Sequence, residues 1–236
     1  VFASESQDYI VDEAVQIHGG MGFSAEMPVD RCYRDSRINR IFEGTNEINR
    51  MVCADMLLKQ AKKADSRIFT DSGNIYSGID TLQAAWQHTS PETSYMDYSC
   101  KVIENFKKTV LLIMGRAYEI LGKQYSQEQE VQMNISDMLI QTFAAESVML
   151  RVKKLEQIKG KEQVKIYKDI MDAFFYEAAA RIRKSATDAI CAFATGDEYC
   201  KLKNAVETLT ATKPLNIKDA RRCIAAKLID ENVYGF

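Results

Sequence analysis

Apolar residues recur every three or four positions along most of the chain, which is the periodicity of amphipathic helices. In the first part of the sequence this pattern predicts one helix over residues 2–18, a short one over 28–37 and a third over 45–62. Only three prolines and eleven glycines interrupt the sequence, and they leave little room for a sheet. We therefore predict an all-α protein.

The second part of the chain carries longer apolar stripes. They predict helices over residues 98–122, 127–159, 162–195, 197–210 and 216–228. Gly160 and Gly196 are the expected helix stops, and Asp197 and Asn216 are candidate N-caps because their side chains can accept unpaired helix N–H groups. Short connections between long helices favour antiparallel neighbours, so we expect antiparallel, up-and-down helical bundles.

We assign the apolar stripes of these long helices to buried faces, and Ile120, Phe143 and Leu150 are among the residues so assigned. Methionine and aromatic side chains on such faces belong to a hydrophobic core far more often than to a cofactor site. The second part of the chain is therefore interpreted as scaffold.

A less regular stretch separates the two helical parts. Residues 65–81 are rich in Ser, Asn, Asp and Gly, as loops are, and Ser90-Pro91-Glu92-Thr93 marks a further candidate helix start. We predict three regions: residues 1–64, a linker with short helical turns over 65–97, and a helical bundle over 98–236.

Composition and charge argue against several classes of protein. The chain is 46% apolar and 27% charged with a net charge of −2, so no electrostatic argument favours nucleic acid as a partner. No segment approaches the roughly 20 apolar residues that span a bilayer. Six cysteines without a Cys-x-x-Cys pair, and only two histidines, predict no metal site and a reduced, intracellular protein. We expect it in the cytoplasm if the source is bacterial and in the mitochondrion if it is eukaryotic.

One short stretch holds the candidate catalytic chemistry. Glu43 follows apolar Phe42 and precedes Gly44, and the side chains of Thr45 and Asn46 are suited to begin a helix. Apolar surroundings favour the protonated form of a carboxyl group, whereas a helix N-terminus favours the charged form. A carboxylate between these two influences suits proton abstraction near neutral pH, so Glu43 is the candidate general base. The alternative is an acidic loop residue without a chemical role.

A second motif follows the first predicted helix, where Gln16, Ile17 and His18 lead into Gly19 and Gly20. Glycines let a backbone approach a ligand closely and Gln16 adds an amide, so this loop is a candidate phosphate cradle. It is not the dinucleotide fingerprint, because a helix rather than a strand precedes the glycines. The alternative is a Gly-rich helix C-cap.

Three arginines, Arg31, Arg34 and Arg37, recur every third residue and alternate with Asp30 and Asp35. We interpret them mainly as salt-bridged surface. The alternative is that one of them supports the loop that carries Glu43.

In this order and spacing, the motifs resemble the end of the C-terminal helical domain of the acyl-CoA dehydrogenase family. The matching segments are residues 14–23 (AVQIHGGMGF), 28–31 (PVDR), 34–37 (RDSR) and 41–48 (IFEGTNEI). Residues 98–236 resemble the C-terminal extension of the very-long-chain branch. This second resemblance includes no catalytic motif. Because the family's other domains would lie upstream, we expect the sequence to be a piece of a longer protein.

The resemblance implies FAD-dependent α,β-dehydrogenation of a fatty acyl-CoA thioester. Glu43 is similar in position to the family's catalytic base, and Gly44 would lie beside the thioester. The stretch that touches the FAD of the neighbouring subunit would comprise Gln16, Ile17, His18, Gly19 and Gly20. The contacts to FAD within the same site would come from Thr45, Asn46 and Glu47.

The resemblance also implies partners and alternatives. It implies a homodimer, an electron acceptor such as an electron-transferring flavoprotein, and a long-chain acyl-CoA substrate. Membrane contact through residues 60–69 is a minor alternative. We expect the fragment alone to be inactive. The competing hypotheses are an acyl-CoA oxidase, which passes electrons to oxygen, and a non-catalytic helical module that works in assembly.

Overall fold

The computed structural model describes residues 1–63, 67–79 and 94–234, and within these ranges it contains helices and no strand. The predicted all-α class is confirmed. The chain forms two compact units, one over Val1–Lys59 and the other from Gln60 onward. No helix among the described residues has the length and apolar character needed to cross a membrane.

The first unit is built from four helices. They are α1 (Phe2–His18), α2 (Gly20–Phe23), α3 (Pro28–Arg37) and α4 (Asn46–Ala61), with a short 3₁₀ turn at Ile38–Arg40. Helix α1 packs against α2 and α3. Pro28 occupies the first turn of α3, where its missing N–H and fixed φ are tolerated, so the predicted start of that helix is confirmed.

The second unit is a helical bundle. Its helices are α5 (Ile68–Ser77), α6 (Tyr95–Leu121), α7 (Gln129–Lys159), α8 (Lys165–Phe193), α9 (Gly196–Leu209) and α10 (Ile217–Glu231). Lys107 of α6 pairs with Glu146 of α7 at 2.5 Å, and Glu156 of α7 pairs with Lys168 of α8 at 2.9 Å. These pairings give α6, α7 and α8 the alternating directions of an up-and-down bundle.

Large apolar side chains fill the bundle interior. Phe106 of α6 is fully buried and meets Phe175 of α8 edge to face, with 6.4 Å between the ring centroids. Ile120, Phe143 and Leu150, however, are 42%, 71% and 52% exposed, so their assignment to buried faces was wrong. Their helices carry apolar residues on more than one face, and periodicity cannot choose which face meets the core.

The described part of the region predicted as a linker is helical and packed. Helix α5 lies against α6, where buried Ser72 sits so close to Gly115 that a Cβ on that glycine would lie 2.5 Å from the Ser72 Cβ. Arg116 stacks 4.0 Å from the Tyr76 ring centroid and pairs with Glu198 of α9 at 2.8 Å. The candidate helix start at residues 90–93 lies outside the described residues.

The helix caps agree with the sequence in some places only. The Asn216 side chain accepts the Asp219 backbone N–H at 3.3 Å, which confirms the predicted N-cap of α10. Asp197 is not a cap, because α9 already begins at Gly196. Asp197 instead lies in the first turn, where its negative charge faces the positive end of the helix.

Candidate active site

Glu43 occupies a strained bend between the 3₁₀ turn and α4. Its φ is 56°, and Gly44 follows with a φ of 84°. A glycine adopts this left-handed conformation readily, but a residue with a long side chain rarely does. Among the described residues, Glu43 and Asn232 are the non-glycine residues with positive φ, and asparagine tolerates that region better than glutamate.

The side chain of Glu43 is exposed in this chain. Its apolar neighbours Ile41 and Phe42 are 49% and 51% exposed, so they do not shield the carboxylate from water. The apolar surroundings expected from the sequence are therefore not supplied by these neighbours. What the fold supplies is an open carboxylate held on a bend.

Helix α4 begins directly after this bend, and its first turn is fixed by local hydrogen bonds. The Thr45 hydroxyl accepts the Ile48 N–H at 3.3 Å, and the Asn49 amide donates to the Gly44 carbonyl at 2.8 Å. Thr45 is thus the cap predicted for this helix. A hydrogen bond from its own backbone N–H, with a second from Thr45, holds the pKa of Glu47 below its ordinary value.

Asn46 is turned inward and ties α4 to the first turn of α1. Its side chain is 2% exposed, accepts the Ser4 hydroxyl at 3.1 Å and donates to Glu5 at 3.3 Å. The side chain of this predicted cofactor contact is therefore committed within the first unit. Only its backbone remains to meet a ligand.

Two arginines that the sequence did not single out anchor the site to α1. Arg50 pairs with both carboxylate oxygens of Glu5, at 2.8 and 2.9 Å, and Arg40 pairs with Asp8 at 2.7 Å. Burial raises the pKa of Glu5, but the hydrogen bond and charge of Arg50, together with Asn46 and Arg40, bring it below its ordinary value. The signal in the sequence was limited to two arginines flanking the Glu43 motif.

The arginines of α3 behave differently. Arg31 lies 3.8 Å from Asp35, and both side chains are largely exposed. For Arg31 this confirms the solvated surface pair that the sequence predicted. Support for the bend that carries Glu43 comes from Arg40 and Arg50 instead.

The Gly-rich segment is only partly a loop. Helix α1 ends at His18, whose Nδ1 donates to the Ala14 carbonyl at 2.8 Å, and α2 begins one residue after Gly19. Gly19 has a φ of 59°, and a Cβ on Gly22 would meet the Val15 carbonyl oxygen at 2.6 Å. These two glycines serve the chain turn. A Cβ on Gly20 would meet nothing within 4 Å.

The predicted site residues fall into two groups. The first group is exposed and comprises the last turn of α1 and the two residues after it: Gln16, Ile17, His18, Gly19 and Gly20. The second group, Glu43 to Glu47, is at the start of α4. This start lies beside the first turn of α1, as the hydrogen bonds of Asn46 with Ser4 and Glu5 show. Glu5 and Gln16 are roughly 17 Å apart by helical rise. The fold therefore does not bring the two groups into one cradle.

Comparisons with known proteins identify relatives of both units. Two family models, each described as "Acyl-CoA dehydrogenase, C-terminal domain", match residues 1–58 and 105–206. A "Probable acyl-CoA dehydrogenase" of Bacillus subtilis (strain 168) is 36% identical over 234 residues, 99% of this chain and 39% of that protein. The mitochondrial short-chain specific acyl-CoA dehydrogenase of Sus scrofa is 56% identical over 57 residues, 24% of this chain and 14% of that protein.

A solved structure gives the same picture for the fold. The crystal structure of acyl-CoA dehydrogenase complexed with FAD from Bacillus anthracis matches with a TM-score of 0.87 and 36% identity. The match covers 100% of this chain and 39% of that one. The chain thus spans about two fifths of the length of these two full-coverage relatives. Their names give a short chain length or none, so they do not single out the very-long-chain branch. Over residues 1–58 and 105–206, the chain belongs to the acyl-CoA dehydrogenase C-terminal domain family.

Proposed function

We propose that this chain is part of an FAD-dependent acyl-CoA dehydrogenase in which Glu43 removes the α-proton of a fatty acyl-CoA thioester. The observation that carries the proposal is the backbone of Glu43, whose φ of 56° is unfavourable for a glutamate. A residue kept in this region costs of order 1 kcal/mol, and such strain is concentrated at functional sites. Because the Glu43 carboxylate has no hydrogen bond or ion pair with any residue that the structure describes, we attribute this cost to catalysis.

The chemistry asked of Glu43 is a proton transfer. The thioester carbonyl acidifies the α-carbon, and the Glu43 carboxylate takes the α-proton and becomes a carboxylic acid. Bound FAD would supply the acceptor for the β-hydrogen, which leaves as hydride. The Glu43 carboxylate is open to water in this chain, and substrate bound against Gly44 would exclude that water and strengthen charge interactions at the site.

The residues fit FAD at two separate places. Gln16 to Gly20 are exposed, and the open space beside Gly20 leaves room for a ligand to approach the backbone. At the head of α4, contacts would come from Thr45, Glu47 and the Asn46 backbone. The two groups lie at opposite ends of α1, and the family resemblance implies that the first group touches the FAD of the neighbouring subunit. We propose the same arrangement here, with two different FAD molecules shared by a homodimer.

The finer identity of the reaction rests on the resemblance of residues 98–236. We propose a long-chain acyl-CoA substrate, an electron-transferring flavoprotein as the electron acceptor, and a cytoplasmic or mitochondrial location according to the source. The names of the relatives support the reaction class, but none of them names a long-chain substrate.

The decisive experiment is the substitution Glu43→Gln in the full-length protein. We expect the purified variant to stay yellow with FAD bound, because glutamine keeps the size of the side chain and loses only the base. Anaerobic addition of acyl-CoA should leave its flavin absorbance unchanged, whereas wild-type flavin bleaches. Glu26→Gln, which changes an exposed acid in the turn between α2 and α3, is the matched control and should bleach normally. Normal bleaching by Glu43→Gln would remove Glu43 from this role.

Four further measurements separate the finer proposals. Residues 1–236 alone should give no turnover with FAD, palmitoyl-CoA and an artificial electron acceptor, and turnover would refute that expectation. A higher kcat/KM for butyryl-CoA than for palmitoyl-CoA would refute the long-chain preference but not the reaction. Hydrogen peroxide formed in proportion to product would identify an oxidase. A sedimentation mass of one subunit would refute the homodimer.

A further inference from the structure

A wide cleft opens in the second unit between α7, α8 and α10, with a volume of about 750 Å³. Apolar side chains from all three helices form most of its wall: Val148, Val152, Leu155, Ile170, Phe174 and Leu228. Protein interiors are otherwise packed as tightly as organic crystals. Helix α10 has no fully buried residue, and its Ile224 and Leu228 are only half-buried above the cleft. The cleft is therefore apolar space that the described chain leaves unfilled.

The cleft is polar at one end and apolar at the other. Helices α7 and α8 are antiparallel, since Glu156 pairs with Lys168 and Lys159 donates to Tyr167, and the pair Arg221–Glu177 joins α10 to α8. This register gathers Ser147, Arg151, Glu177 and Arg221 at one end. Leu155, Ile170 and Leu228 are gathered at the other end. The two ends are roughly 10 to 15 Å apart by helical rise.

Among the described residues that line the cleft, Arg151, Glu177 and Arg221 carry charge, and only Arg151 has no partner of opposite charge. Arg221 is neutralised by Glu177, Lys168 by Glu156, and Lys159 lies over the Tyr167 ring at 5.0 Å from its centroid. Arg151 is exposed and has no salt bridge or hydrogen bond within residues 1–63, 67–79 and 94–234. The polar end of the cleft therefore carries one guanidinium that is available to an anion.

We propose that this cleft binds a long-chain fatty acid anion, with its carboxylate on Arg151 and its hydrocarbon tail between α7, α8 and α10. The volume lies in the range of small-molecule sites, which combine apolar walls with a few polar groups that fix orientation. A guanidinium holds a carboxylate with charge-assisted hydrogen bonds. The cleft is built from residues of the second unit alone, and the proposal does not depend on the proposed reaction.

The first test measures binding of dodecanoate to the purified chain by titration calorimetry, below the concentration at which dodecanoate forms micelles. We expect affinity to rise about three- to fourfold for each methylene added from octanoate to dodecanoate, as burial of methylenes predicts. Equal affinities along the series would overturn the proposal, because they would show that the tail is not buried.

Variants then locate the tail and the carboxylate. Ala173→Trp places a large ring in the cleft and should lower dodecanoate affinity at least tenfold. Arg151→Ala should weaken dodecanoate about fivefold and leave dodecanol, which has no charge, unchanged. Lys153→Ala is the matched control, since Lys153 is an exposed cation two residues along α7 and does not line the cleft. Its affinity for dodecanoate should equal that of wild type.

Several results would overturn the proposal. Unchanged dodecanoate binding by Ala173→Trp would place the ligand elsewhere, and an equal loss in Arg151→Ala and Lys153→Ala would reduce the anion effect to general surface charge. If Ala173→Trp lowered the sedimentation mass while wild type bound no dodecanoate, the cleft would be a contact between copies. Binding to anionic vesicles without binding of monomeric dodecanoate would make it a membrane surface. Because Arg151 is exposed, its variant remains informative if Ala173→Trp fails to fold.

Discussion

Each of the two units is stabilised internally by a different kind of interaction. In the second unit, residues such as Phe106, Met171 and Ile182 are fully buried in an apolar interior. In the first unit, α1 has no fully buried residue, and its polar links to the head of α4 and the 3₁₀ turn include the ion pairs Glu5–Arg50 and Asp8–Arg40. The unit that carries the candidate chemistry thus depends on directed polar contacts, and the scaffold depends on packing.

This difference has consequences for how each unit responds to change. Apolar packing depends little on pH, whereas partly exposed ion pairs weaken in acid and at high salt. Many large apolar side chains of the first unit are exposed, for example Ile17 at 80% and Phe23 at 81%. The first unit therefore offers apolar surface for further contacts, while its geometry near Glu43 is set by charge.

The largest expected effect comes from removing apolar packing in the second unit. Phe106→Ala removes a fully buried ring and should lower the free energy of unfolding of the second unit by about 3–5 kcal/mol. Phe143→Ala is the matched control, because this ring is 71% exposed on α7, and it should change stability by less than about 0.5 kcal/mol. Urea unfolding followed by circular dichroism measures both. A comparable loss in the two variants would mean that the assignment of the core is wrong.

A second change tests how α5 is held against α6. Gly115→Ala would bring its new Cβ to 2.5 Å from the Ser72 Cβ, so we expect a loss of about 1–3 kcal/mol despite the higher helix propensity of alanine. Hydrogen exchange should accelerate in α5 above all. Adding Ser72→Gly should restore protection, because it removes the atoms that clash. Unchanged exchange in α5 after Gly115→Ala would show that the two helices are not packed as described.

Helix α5 also shows where sequence patterns stop being informative. Ser72, Gly73 and Asn74 have the composition of a loop, and it is packing against α6, through Ser72 on Gly115 and Tyr76 on Arg116, that stabilises the helix. Pro28 and Asn216, in contrast, act within one turn of their own position, and both predicted helix starts are confirmed. Local chemistry was predictable at these two positions, and the packing of Ser72 on Gly115 was not.

The third prediction concerns the pH response of the first unit. Because the folded pKa of Glu5 is lowered, its pairing with Arg50 stabilises the unit above the ordinary glutamate pKa, and the contribution is lost as pH falls through the folded value. After allowance for solvent screening we expect about 1 kcal/mol at neutral pH. Amide protection factors, which correct for the intrinsic pH dependence of exchange, should therefore fall in α1 and α4 below about pH 5, with α6 to α8 less affected.

The control for this prediction is Glu5→Gln, which removes the charge and keeps a side chain of similar size. The variant should lose protection in α1 and α4 at neutral pH and show little further loss on acidification. If wild type and Glu5→Gln respond equally to acid, another group would have to be responsible for the pH response.

The candidate site was readable from sequence only in part. Glu43, Gly44 and Thr45 were identified because a carboxylate, a glycine and a capping residue are consecutive. The partners of Arg40 and Arg50 lie 32 and 45 residues away on α1, and no local spacing reveals them. The positive φ of Glu43 could not be predicted from the sequence either, because only the glycine after it indicates an unusual turn.

The smallest effect tests that backbone directly. Asparagine adopts the left-handed region more easily than glutamate, so Glu43→Asn should stabilise the first unit by roughly 0.5 kcal/mol. Slower hydrogen exchange at the head of α4 measures this gain. Glu26→Asn, at a position without positive φ, is the control and should give no gain. A loss of stability in Glu43→Asn would mean that the glutamate is retained for the fold. A gain would mean that the chain keeps a carboxylate on this bend at the expense of its own stability.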